Sequence, residues 1–267
     1  MRPSTFLPLG LAALTSSTPL SLPRRSLFPP TSTAKGFVLV ANVTDLSRDL
    51  TPSIQHFKLV GVHVGAGLET AVLTPEAGRV LYENGTDAEG YGIAADSVLG
   101  TAAAPAGFTY PYGMQIIPIP PGVEEGEEPG DDEADYVDHV GIDVGTAQRG
   151  VGIRDPPPSS TPSTQVAQDP ASGGTDTWAE AYGPDAGTFY VCFEAKPAYG
   201  RPQYPVRFAR VQTVDGVAYQ QIPDGCAPIR LLAQCAALEQ VPPGAIYGHD
   251  FARTVRCYDN VAAVSWS

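Results

Sequence analysis

Between Lys35 and Cys257 the apolar residues fall in short runs, and almost every run stops at a Gly or a Pro. The chain carries 28 Gly and 27 Pro in 267 residues, which leaves little room for a helix of ordinary length. Within the runs the alternation has a period of two, the period of a strand with one buried face. Gly36 to Val40 is β-rich, and Asp49 to Ser53 breaks it. His56 to Val64 places Lys58, Val60, Val62 and Val64 on one face, and Phe57, Leu59 and His63 on the other. Gly65 to Gly67 is a turn, followed by strands at Glu69 to Leu73 and Arg79 to Glu83. Asn84-Gly85 reads as a tight hairpin turn, because both residues tolerate positive φ. Further runs lie at Met114 to Pro118, Val140 to Ile153 and Gly187 to Phe193. Tyr204 to Val211 and Val217 to Ile222 flank a second hairpin signal, Asp215-Gly216. Ile229 to Leu232 reads as a strand with a short helical turn after it. About ten short strands and no internal repeat predict an all-β, single β-sandwich-like domain over residues 35–267.

Two segments interrupt this pattern. Residues 120–138 hold nine acidic residues, from Glu124 to Asp138, among Gly and Pro. Like charges at this density favour a solvated loop. A calcium site from Asp131, Asp132, Asp135 and Asp138 is the competing reading, but the spacing lacks the Asp-x-Asp-x-Asp-Gly order of a calcium loop. The adjacent His139 is expected at the surface. Residues 154–177 are rich in Pro, Ser and Thr and read as a disordered loop.

The first residues suggest where the chain goes. Arg2, the apolar stretch Phe6 to Leu14 and the small residues Thr15 to Ser17 have the form of a secretory signal over residues 1–17. Residues 18–34 follow as a flexible leader, in which Arg24-Arg25 is a candidate dibasic processing site, the alternative being an unprocessed leader. The C-terminus lacks the apolar tail of a lipid-anchor signal, so no membrane anchor is expected. Four cysteines in an exported chain predict two disulfides; three pairings are open, and the favoured one has Cys226–Cys235 as a local clasp and Cys192–Cys257 as a long-range tie. A zinc site is disfavoured because no Cys-x-x-Cys pair is present. Asn42-Val43-Thr44 and Asn84-Gly85-Thr86 are glycosylation sequons, both expected to face solvent. The net charge of -13 argues against nucleic acid and against anionic lipid as partners, and otherwise serves solubility.

Signs of catalysis are sparse. There is no Gly-x-Ser-x-Gly and no Gly-x-Gly-x-x-Gly between a strand and a helix. Glu83, Asp143, Glu180 and Glu194 lie in or near strands and could supply a carboxylate pair, but no spacing selects one. His56, His63, His139 and His249 show no metal spacing, and His63 reads as a core-edge residue. No catalytic residue, metal or cofactor is therefore assigned. Tyr110 and Tyr112, in the run Phe108 to Gly113, are candidates for stacking on sugar faces, as is Trp178 beside Tyr182. The competing role for these rings is to cap the core.

Four stretches carry a resemblance: Lys35 to Asp45 (KGFVLVANVTD), Gly65 to Gly67 leading to Ala71 to Leu73, Gly187 to Cys192, and Pro223 to Cys226. Together they resemble a family of secreted proteins of filamentous fungi whose function is unknown. The resemblance implies secretion and a fungal source, and no activity. The expectation is a non-catalytic extracellular or cell-wall-associated protein that binds a surface, either cell-wall glycan or an extracellular protein. The alternative is a secreted, glycosidase-like hydrolase using a carboxylate pair.

Overall fold

A computed structural model describes residues 31–86, 88, 90–96, 111–119, 137–145, 147–153, 181–182, 187–195, 197, 202–214, 217–241 and 247–264. The signal, residues 18–30 of the leader with Arg24 and Arg25, Tyr110, Trp178, Glu180, residues 120–136 and residues 154–177 lie outside this set, whereas Ser32 to Ala34, at the end of the expected leader, form a strand. The described residues form sixteen strands: β1 (Ser32–Ala34), β2 (Gly36–Val43), β3 (Lys58–Gly65), β4 (Leu68–Thr74), β5 (Leu81–Thr86), β6 (Gly90–Ala95), β7 (Tyr112–Ile119), β8 (Val137–Val144), β9 (Gly152–Ile153), β10 (Ala181–Tyr182), β11 (Gly187–Val191), β12 (Val206–Arg210), β13 (Gln212–Val214), β14 (Val217–Tyr219), β15 (Ala227–Ala236) and β16 (Val255–Cys257). The only helices among them are two single 3-10 turns, Leu46–Arg48 and Val261–Ala263.

Ten strands make one antiparallel sheet in the order β12-β11-β15-β2-β3-β4-β8-β7-β6-β5. It closes on itself through β12–β8 and β2–β5, giving a flattened, sandwich-like wrap. Closure is made by two strands that each share one edge between two neighbours. β2 pairs with β15 along Gly36 to Val43, while its other edge meets β3 at Val40 and β5 at Gly36 and Phe37. β8 pairs fully with β7, and its other edge meets β4 at Gly141 and β12 at Asp138 and His139.

Alternation decides what lies inside. Phe37, Leu39, Ala41 and Val43 of β2 point into one core with Leu59, Ala71, Leu73, Met114, Ile116, Val140, Ile142, Phe189, Phe208 and Leu231. Burial of each large side chain contributes about 1.5–3 kcal/mol. Gly187 shows how closely the wrap is drawn: a Cβ there would run into the Phe208 ring and the Ala209 carbonyl.

Several expectations change. Asn84-Gly85 is not the hairpin turn; β5 continues to Thr86, which pairs with Gly90, and the chain reverses around Ala88. Gly85 still uses its freedom, with φ of 136° and its Cα facing the Gly90 carbonyl where no Cβ would fit. The second hairpin is where it was expected, since Val214 pairs with Val217 across residues 215–216. β15 replaces the helical turn after Leu232: its backbone pairs with β2 through Ala236, so sheet hydrogen bonds override the helical spacing of the alanines. His63 is exposed rather than at a core edge; it lies opposite Glu69, next to the register shift that ends the β3–β4 ladder at Gly65 and Leu68.

The disulfides also differ. They are Cys192–Cys226 and Cys235–Cys257. The expected Cys226–Cys235 clasp is ruled out by extension. The two residues stand at opposite ends of β15, and nine strand residues span roughly 30 Å, far beyond disulfide reach. Cys192 instead follows β11, whose Val191 pairs with Ala227 next to Cys226. Asn42 is corrected as well. It lies in the middle of the sheet opposite Arg230 and is 4 % exposed, so its carboxamide does not face solvent. Asn84 is half-buried.

Candidate functional site

Sheets of this kind bury apolar residues inside and leave polar residues wet outside. The β4–β8–β7 region departs from that rule. On β8, Val140 and Ile142 enter the core, so His139, Gly141 and Asp143 share the opposite, outer face. Pairing places Thr70 of β4 and Gln115 of β7 on either side of Gly141, with Gly113 opposite Asp143. Thr70, His139 and Asp143 are all buried. The result is a polar strip with a bare glycine in its middle. The loop assignment of Asp138 and the surface assignment of His139 both fail here: β8 begins at Val137 and draws the pair into the sheet beside β12.

At one end of the strip, β12 enters between β4 and β8. Arg207 donates from Nη1 to His139 Nδ1 (2.6 Å) and from Nη2 to Glu194 Oε1 (2.9 Å). Arginine has no acceptor to offer, so His139 Nδ1 accepts and the ring proton sits on Nε2, facing Thr70 Oγ1 at 3.5 Å. Burial, and then the charge of Arg207, push His139 down to about 4. A neutral imidazole already protonated on Nε2 cannot take a proton from Thr70, so the pair is no nucleophile and base.

At the other end lies Asp143. Four carboxylates are buried among the described residues: Glu69, Glu83, Asp138 and Asp143. Three face an arginine, as Glu69–Arg79, Glu83–Arg253 and Asp138–Arg210. Asp143 has no arginine among the described residues. Its Oδ1 accepts the Glu69 backbone N–H at 3.0 Å, and burial raises its carboxyl above the usual range. Its carboxylate leans over Gly141, where a Cβ would stand 3.1 Å from Oδ2.

The other candidate carboxylates do not join it. Glu83 accepts from the Ile153 N–H and from Arg253, which is the work of a structural anchor. Glu194 is engaged by Arg207. Tyr112 is half-buried on β7, packs against the core, and has the Arg79 guanidinium 4.8 Å from its ring centroid, so it is a core cap rather than an open platform. A different aromatic surface takes that place. Phe57 meets Tyr204 edge-on at 5.7 Å, Tyr204 meets Phe193 at 5.3 Å, and Phe193 is 52 % exposed. Phe193 precedes Glu194 in the chain, and alternation turns the two side chains apart: Phe193 toward Tyr204 and Glu194 toward Arg207. The three rings of this surface come from separate runs of the sequence, and only the fold brings them together.

The family "Domain of unknown function (DUF7907)" matches residues 34–235, a span that includes Phe57, Thr70, Asp143, Phe193 and Arg207. The chain belongs to this family. It is also 33% identical over 242 residues to "Antigenic protein SchS34" of Stachybotrys chartarum, covering 90% of this chain and 93% of that protein. No solved structure matches. No helix among the described residues is long and apolar enough to cross a membrane, and no group of three or more His, Cys, Asp or Glu among them could hold a metal ion.

Proposed function

We propose that this member of the family is a secreted, non-catalytic extracellular or cell-wall-associated protein that binds glycan. The observation that carries the reading is the half-exposed Phe193, backed by Tyr204 and Phe57, with the Glu194–Arg207 pair following it in the chain. Sugar rings stack their C–H faces on aromatic rings, and their hydroxyls need donors and acceptors alongside. Two disulfides with no free cysteine among the four, the signal-like N-terminus and an antigenic fungal relative support an extracellular setting.

The test is retention on insoluble cell-wall polysaccharides. Wild type is expected in the bound fraction, and Phe193→Ala in the supernatant with an unchanged melting temperature. Equal retention of both, or of neither, would overturn the assignment. One observation favours a hydrolase as second reading: burial raises the Asp143 carboxyl above the usual range, the direction a general acid needs. Release of reducing ends from those polysaccharides, lost in Asp143→Asn, would establish it.

A further inference from the structure

The fold reveals how it handles a buried carboxylate. Glu69, Glu83 and Asp138 each receive a guanidinium, because an uncompensated charge in low dielectric costs several kcal/mol. Asp143 is the exception. It is 8 % exposed, and only Oδ1 has a partner, the neutral N–H of Glu69. Oδ2 has none among the described residues and stands over Gly141, with Gly113 across the β7–β8 pairing. The bare Gly141 lets the Asp143 carboxylate lie against the strand, and none of the three paired guanidiniums is bonded to it.

Resting on the glycan reading above, we infer that Asp143 receives a cationic group of the ligand, and that the ligand is a polysaccharide bearing free amines. An ammonium beside Oδ2 would complete the pairing that arginine supplies at the other three buried carboxylates. Its remaining protons would meet Thr70 Oγ1 and the Gln115 side-chain carbonyl, the residues paired with Gly141 on either side. The whole molecule favours the same ligand. A net charge of -13 attracts a polycation over distance and repels an acidic polysaccharide. An N-acetylated sugar offers no charge at this position and would leave the carboxylate unpaired.

Calorimetric titration of the mature protein with glucosamine hexamer and N-acetylglucosamine hexamer tests this. Wild type should bind the amine hexamer about tenfold more tightly, the size of one charge-assisted hydrogen bond. Asp143→Asn should erase that preference and leave binding of the acetylated hexamer unchanged. Gly141→Ala, which crowds Oδ2, should weaken amine binding in the same direction. Phe193→Ala should weaken both hexamers alike. Equal binding of the two hexamers by wild type, or an amine preference that survives Asp143→Asn, overturns the inference; the glycan reading then stands if Phe193→Ala still weakens binding. Failure of both hexamers to bind overturns the inference, and the polysaccharide retention test then decides the broader reading alone. Melting of each variant at or above the wild-type temperature separates lost binding from lost fold.

Discussion

Asp143 and His139 lie on one face of one strand, and burial favours the neutral form of each, with opposite effects on stability. Asp143 has a raised folded pKa, so the folded state keeps a proton that the unfolded chain releases near 3.9. Its contribution is present below that pH and is lost as pH rises through the folded value. Asp143→Asn should therefore be more stable than wild type at pH 7, with the gap closing below about pH 4. His139 has a depressed folded pKa, about 4. Its neutral form stabilises the fold above the unfolded value near 6.5, and that stability is lost as pH falls toward 4. Urea titrations from pH 4 to 7 should show His139→Gln with a shallower acid slope than wild type, the difference reaching at most about 3 kcal/mol. Arg253→Met works differently: it removes the guanidinium from Glu83, which is 1 % exposed, and should cost about 2–3 kcal/mol at neutral pH. At Asn42 the outcome is chemical. Peptide mapping of protein from a glycosylating host should find this sequon unmodified, since the folded sheet has no room for a glycan there.

The strands were largely legible in the sequence, because period-two alternation is a local property and a core with one inside face enforces it. Gly187 to Val191 shows this well: Phe189 and Val191 enter the core, and Tyr190 does not. What could not be read was pairing. The helical spacing of Ala233, Ala236 and Ala237 was a fair signal, overridden only because β2 offers β15 a partner edge along eight residues. The strip was half-written in β8, where polar residues alternate with Val140 and Ile142 around a glycine. Its neighbours Thr70, Gln115 and Arg207 come from three other strands, which no spacing reveals. Close approach between elements gives a test at this scale. Gly187→Ala forces a Cβ against the Phe208 ring and the Ala209 carbonyl and should lose about 2–3 kcal/mol in chemical denaturation. Gly225→Ala has open space but a φ of 79°, so it should lose only about 1 kcal/mol, from backbone strain.

Closure through β2 and β8 joins strands distant in sequence, and the last third of the chain supplies several of those links. β15 joins β11 to β2, and β16 pairs with β1 at the start of the described fold. Each disulfide reinforces one of these links. Cys192–Cys226 ties the end of β11 to the entry of β15, closing a loop with a sequence separation of 34. Cys235–Cys257 ties the end of β15 to β16, with a separation of 22. Loop-closure entropy assigns each about 3–4 kcal/mol, drawn mainly from the unfolded chain. The consequences should differ by location. Cys192→Ala/Cys226→Ala loosens the segment that presents Phe193 and Glu194, so polysaccharide retention should fall along with stability. Cys235→Ala/Cys257→Ala loosens the β1–β16 pair, far along β15 from Phe193. It should lower the urea midpoint by a similar amount while leaving retention intact under native conditions. Equal loss of retention in both variants would mean that the aromatic stack draws its order from the whole wrap rather than from the β11–β15 tie.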